Sequence, residues 1–136
     1  MSKISLIILG TVQDAGSPHI GCSSPCCKKL FTNPDKTRKI VSLGLIDPDC
    51  NKTFLFEATP DISIQIKMLH NYLPSKENEM VDGIFITHAH IGHYKGIMYL
   101  GKEALNTLEI PVYVLPKMKL FIEENGPWNQ LLFNKN

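Results

Sequence analysis

The sequence predicts an α/β fold, and three observations carry that prediction. Short runs of β-branched, leucine and aromatic residues, bounded by polar or turn-forming residues, recur along the chain as strands do. Between two of them lies an apolar pattern with the period of a helix. Strand-like and helix-like segments then alternate to the end, which implies a sheet layered with helices. At 136 residues, 43% hydrophobic and 20% charged, the chain is ample for one domain and short for two. A net charge of +1 gives no basic footprint for nucleic acid or for an acidic membrane surface. No apolar run is long enough to span a bilayer, and the N-terminal run Met1–Leu9 lacks a small-residue cleavage site, so the expected location is the cytoplasm.

Residues 3–9 read as a first strand ending at Gly10, followed by the polar loop 11–18 with its two breakers, Gly16 and Pro18. Asp14 in that loop reads as a turn residue or, if the loop flanks a site, as a substrate contact. Lys28 to Phe31 suggest a short helix stopped by Asn33-Pro34. Residues 38–46 and 53–57 are strands joined by Asp47-Pro48-Asp49-Cys50-Asn51-Lys52, whose turn chemistry marks a hairpin. Thr59-Pro60-Asp61 opens a helix, with Thr59 as a cap and Asp61 facing the positive end of the dipole. Ile62, Ile66, Leu69 and Leu73 recur on one helical face. Gly83-Ile84-Phe85-Ile86 is a buried strand, 97–108 a largely helical stretch, 110–115 another strand, and Pro116 to Glu124 a helix ending near Gly126-Pro127.

Three of the five histidines, His88, His90 and His93, fall within six residues of one another just after the buried strand. In an extended segment His88 and His90 point to the same side, so both imidazoles can reach one metal ion, and His93, beyond Gly92, can turn back toward an adjacent position. Imidazoles suit zinc or iron. A metal with few protein ligands keeps an open position, where bound water becomes a hydroxide near neutral pH. Of the four cysteines, Cys22, Cys26 and Cys27 cluster after His19, offering four ligands for a closed zinc site. The adjacency of Cys26 and Cys27 leaves open the alternative that one of them is a small core residue. Cys50 in its turn reads as inert.

Thr87-His88-Ala89-His90-Ile91-Gly92-His93 resembles the Thr-His-x-His-x-Asp-His signature of the metallo-β-lactamase superfamily, departing from it at Gly92, where the usual aspartate is missing. Residues 10–18, the cysteine cluster and Glu124-Asn125-Gly126-Pro127-Trp128 are similar to the branch of that superfamily around the pyrroloquinoline-quinone biosynthesis B protein. The resemblance implies an αββα sandwich with a mixed sheet and helices on one face, of which residues 1–136 would be the N-terminal half. The remaining metal ligands would lie downstream, with 128–133 trailing toward them. It also implies His88 and His90 as ligands of a first metal and His93 of a second, and a structural zinc for the cysteines. Glu57 stands where the superfamily places an aspartate that supports the metal loop. Glu57 or Asp61 could fix a histidine tautomer, while Asp61 reads equally as a helix-terminus charge.

The function expected is therefore a metal-dependent hydrolase, with zinc, or alternatively iron or manganese, and a small-molecule or peptide-derived substrate. This chain would be a fragment or would depend on a partner. One alternative is an iron-dependent oxidase or hydroxylase in cofactor biosynthesis, and another is a non-enzymatic zinc-binding or assembly module. An unpaired apolar sheet face would pair with a second copy or with the other half of the sandwich.

Overall fold

The computed structural model describes residues 3–136. Met1 and Ser2, the start of the run weighed above as a leader, lie outside the described residues. Five strands form one mixed sheet: β1 (Ser5–Gly10), β2 (Ser42–Asp47), β3 (Lys52–Phe56), β4 (Gly83–Phe85) and β5 (Val112–Tyr113), in that spatial order. β1, β2 and β3 pair antiparallel, and β3, β4 and β5 pair parallel. The change of direction follows from the connections. A tight turn joins β2 to β3, whereas β3 reaches β4 only through helix α2 (Ile62–His70), which permits a parallel pair.

The register divides the sheet into two unlike faces. Ile7, Gly44, Leu55, Ile84 and Val112 lie in one row across all five strands. Leu55 and Ile84 are fully buried there beneath Ile62, Ile66 and Leu69 of α2, with Met118 and Ile122 of α4 (Pro116–Glu124) in the same core. Each such side chain contributes roughly 1.5–3 kcal/mol by leaving water. The neighbouring row, Ile8, Leu43, Phe56, Phe85 and Tyr113, faces the other way. Ile8 is 67% exposed there, although Phe56, Phe85 and Tyr113 stack at 5.0 and 4.5 Å. Among the described residues, the helices that join this core, α2 and α4, pack on the face that carries Leu55 and Ile84.

Five elements differ from the sequence expectation, the simplest being the strand expected over 110–115, which pairs only at Val112–Tyr113. Helix α1 spans Pro25–Thr32, longer than Lys28–Phe31, because Pro25 sits in its first turn, where a missing N–H costs nothing. The strand expected over 38–46 begins only at Ser42. The backbone before it is committed elsewhere: Ile40 donates to Asp61 Oδ2 (2.9 Å) and accepts from Gln65 Nε2 (2.7 Å), while Lys39 O accepts from Thr11 and Val12. The helical stretch expected over 97–108 is the four-residue α3 (Ile91–Tyr94) running into a 3-10 helix (Lys95–Leu100). Gly101 leaves it with extended backbone, and the N–H groups of Asn106 and Thr107 bond back to Gly101 and Leu100. Residues 128–133 do not trail away. They fold back as α5 (Gln130–Phe133), with Leu131 in the core and Trp128 against Tyr94 and Phe121 at 5.7 and 5.3 Å. No described helix is long and apolar enough to cross a membrane.

Candidate metal centre

The chain leaves the sheet at the end of β4, a C-terminal strand edge of the kind where α/β proteins place their chemistry. Ile86 still donates to Tyr113 O and is buried, and from Thr87 onward the chain is released. His88 and His90 follow, both exposed, and His90 opens α3 with extended backbone (φ −72°, ψ 134°), so that His93 falls within its first turn. That turn is fastened to the exit of β3: His93 O accepts from Ala58 N–H (2.8 Å), and Ala58 O accepts from Gly96 N–H (2.7 Å). Contact this close requires glycine, since a Cβ on residue 96 would stand 2.3 Å from Thr59 O.

The result is a compact histidine group. One candidate ligand atom from each of His88, His90 and His93 lies within 4.8 Å of the other two, a separation that small side-chain movements close onto one ion at ~2.0–2.1 Å bonds. The ring centroids stand 4.5 Å (His88–His90), 4.3 Å (His88–His93) and 6.2 Å (His90–His93) apart. His93 is buried and forms the floor, whereas the His90 side chain is 70% exposed, so a metal held here would face solvent.

Glu57 organises the floor. It is buried, its N–H bonds Phe85 O (2.8 Å), and its backbone is left-handed (φ +71°). That conformation costs about 1–2 kcal/mol for a residue with a side chain. It is offset by what the carboxylate gains: Oε1 accepts from Thr87 Oγ1, Oε2 accepts from Thr87 N–H (3.4 Å), and Oε2 lies 3.5 Å from His93 Nδ1. The Thr87 hydroxyl also sits 2.8 Å from His88 Nδ1. A hydroxyl has one proton and here donates it to Glu57, so His88 Nδ1 must be the donor in the second contact. His88 is thereby set with Nε2 free to bind a metal.

The buried His93 Nδ1 has no hydrogen-bond partner, and its neighbouring carboxylate stands a little beyond bonding range. An interior ring nitrogen left so is costly in a site without a ligand and is satisfied when an ion draws the ring into place. The donor set therefore fits a metal.

The other candidates fall out differently. Asp61 accepts from Ile40 N–H, and Thr59 Oγ1 accepts from Asp61 N–H (3.0 Å), which ties residue 40 to the start of α2. Among the described residues the histidine group is the one whose candidate ligand atoms all lie within 4.8 Å of one another, whereas the Cys22, Cys26 and Cys27 thiols touch one another at a looser spacing. His19 Nδ1 instead sits 2.7 Å from Ile20 O. The thiols do interact, since hydrogen bonding from Cys27, then from Ser24, holds Cys22 below the usual thiol range. For Cys27 a backbone hydrogen bond from His19 pulls downward, but the Cys22 thiol and burial together push it up. One residue near the site was read too weakly from sequence. Asp14, taken mainly as a turn residue, places Oδ2 3.5 Å from His90 Nδ1.

A family model described as the metallo-beta-lactamase superfamily matches residues 37–130, from the approach to β2 through the histidine turn to the start of α5. The chain belongs to the metallo-β-lactamase superfamily. Its fold is similar to a crystal structure of Zn(2+)-bound PqqB from Methylobacterium extorquens, with a TM-score of 0.68 and 19% identity over 93% of this chain and 45% of that one. It is also similar to a new diphosphatase from the PhnP family, with a TM-score of 0.60 and 21% identity over 88% of this chain and 44% of that one. The chain thus spans less than half the length of either structure, and at these identities the likeness is one of fold. Among curated proteins no sequence matches it. Within the superfamily, the five-stranded mixed sheet with helices on one face is one layer pair of the sandwich, as the sequence resemblance implies.

Proposed function

We propose that this chain carries the histidine-turn part of a metal-dependent hydrolase site. The observation that supports the reading most is the convergence of His88, His90 and His93 at the end of β4, with His88 already fixed as a donor through Nδ1. His88, His90 and His93 would hold the ion. Bound there, it would supply Lewis acidity and a water acidified to near neutrality. The chain's own contributions are orientation and charge. Thr87 fixes the His88 ring, Glu57 keeps negative charge beneath His93, and the exposed side of His90 leaves room for a substrate. The diphosphatase neighbour makes a phosphoric ester or anhydride the first substrate class to try.

The test is metal content of the purified chain after exposure to zinc, iron or manganese. One ion per chain, lost in His88→Ala with the circular dichroism unchanged, is the expected result. A wild-type chain that takes up no ion, or a variant that keeps it, overturns the reading.

We further propose that the outer sheet face is covered by a second half-sandwich of the same fold, supplied in solution by a second copy of this chain. Ile8, Leu43 and Tyr113 are 67%, 37% and 46% exposed in one continuous row, an apolar strip that single domains seldom leave in water. Light scattering should show a dimer that Ile8→Lys splits. A stable monomer rejects this occupant.

A further inference from the structure

Gly92 is the point where this chain lacks the superfamily's usual aspartate, and it is also where another loop comes closest. A Cβ on residue 92 would stand 2.1 Å from Asp14 O and 2.6 Å from Asp14 Cβ. Any side chain at 92 would therefore displace the 13–16 turn. With glycine there, the turn lies directly on α3 and brings Asp14 Oδ2 to 3.5 Å from His90 Nδ1.

The turn is held from two sides. Internally, Gly16 N–H bonds Gln13 O (3.0 Å), and the Gln13 side chain accepts from Ala15 N–H (2.9 Å) and donates to Gly16 O (3.0 Å). Externally, Val12 N–H bonds Lys39 O (2.9 Å) and Val41 N–H bonds Val12 O (2.8 Å). The same segment is anchored by Asp61 and Gln65 at Ile40. Asp14 is thus carried on a braced support, and its side chain is 32% exposed although the ring it faces is 70% exposed.

We propose that Asp14 is a positioning residue of the metal centre: its carboxylate stands 3.5 Å from His90 Nδ1, accepts a hydrogen bond from Nδ1–H once the exposed ring closes the last few tenths of an ångström, and so turns His90 Nε2 toward the ion. The inference rests on reading the histidine group as a metal centre. It makes the three rings alike, each with Nδ1 facing a protein oxygen: Thr87 Oγ1 for His88, Asp14 Oδ2 for His90 and Glu57 Oε2 for His93. A carboxylate behind a ligating imidazole fixes its tautomer and raises its basicity, and losing one typically costs ~10–100-fold in metal affinity.

The test combines imidazole 15N NMR on the metal-free chain with zinc titration, for wild type, Asp14→Ala and Asp14→Asn. Wild type should show His90 as the Nδ1–H tautomer. Asp14→Ala should lose that preference at His90 but not at His88, and should bind zinc ~10–100-fold more weakly. Asp14→Asn, whose amide oxygen can accept the same hydrogen bond, should restore the tautomer and most of the affinity. Should alanine loosen the turn, Asp14→Ser keeps a turn-forming side chain too short to hold the ring and must give the same loss. An unchanged His90 tautomer in Asp14→Ala overturns the proposal, whatever happens to affinity. A wild-type chain that binds no zinc overturns the metal reading instead, and the tautomer measurement still decides whether Asp14 holds His90.

Discussion

The histidine turn and the cysteine loop both look like metal sites in the sequence, and among the described residues it is the histidine turn whose ligand atoms lie within 4.8 Å of one another. The difference lies in what each segment is fastened to. The histidines follow a buried strand, and their turn is pinned to the exit of β3 by two backbone hydrogen bonds and to the 13–16 turn by contact at Gly92. Cys22 precedes α1 in a stretch of turns where the described backbone bonds are short-range ones such as Cys22 N–H to His19 O (3.1 Å). Ligand spacing along a chain becomes ligand geometry only where tertiary contacts hold the intervening backbone, and here that support comes from elements far away in sequence.

The sharpest way to break this contrast is to remove ligands from each region in turn. His88→Ala should abolish stoichiometric metal on the histidine turn, while Cys22→Ser should leave that ion in place, both read by elemental analysis of dialysed protein. His88 is exposed, so its loss should leave the thermal transition nearly unmoved. Retention of the ion in His88→Ala with its loss in Cys22→Ser would reverse the assignment of the two regions.

A smaller effect tests the fastening itself. Restoring the superfamily's aspartate by Gly92→Asp should not improve the centre, because its Cβ would meet the Asp14 backbone at 2.1 Å. Overpacking of this kind costs about 1–3 kcal/mol, so the variant should unfold at lower denaturant and bind zinc more weakly. Tighter zinc binding at unchanged stability would show that the 13–16 turn moves aside freely. Glu57→Ala comes next in size. It leaves the Thr87 hydroxyl and the buried His93 ring without their carboxylate, at about 1–3 kcal/mol, and should lower zinc affinity ~10–100-fold. Wild-type affinity in the Glu57→Ala variant would remove Glu57 from the centre.

Much of this was legible in the sequence, for physical reasons that differ by element. The histidine turn was legible because an apolar run of β-branched and aromatic residues names a strand and three imidazoles name a chemistry. Helix α2 was legible from Ile62, Ile66 and Leu69 recurring on one face. The extent of β2 was not, since Ile40 looks like a strand residue and only the side chains of Asp61 and Gln65, more than twenty positions away, divert its backbone. Nor was the return of Trp128 and Leu131 to the core. Asp14 reads from the sequence as a turn residue or a substrate contact, and its place beside His90 could not be seen there. Its turn chemistry was plain, but its approach to His90 depends on the empty space at Gly92, and a gap in a motif reads as a loss until the structure shows what fills it.

The least effect is expected within the cysteine loop, and it sharpens the contrast from the other side. Hydrogen bonding from Cys27 and Ser24 lowers the Cys22 thiol, whereas Asp47, by hydrogen bond and by charge, raises Cys50. A lowered thiol is more fully ionised at a given pH, and the thiolate is the nucleophile. At mildly alkaline pH iodoacetamide should therefore label Cys22 ahead of the more exposed Cys50, with the buried Cys27, itself raised, slower than Cys22. Mass spectrometry of peptides from a time course checks the order. Cys50 reacting first would mean that the Cys22–Cys27 contact does not persist in solution, leaving the loop still looser than its geometry here. If instead zinc slows Cys22 labelling in the His88→Ala background, the cysteines hold an ion of their own beside the histidine centre.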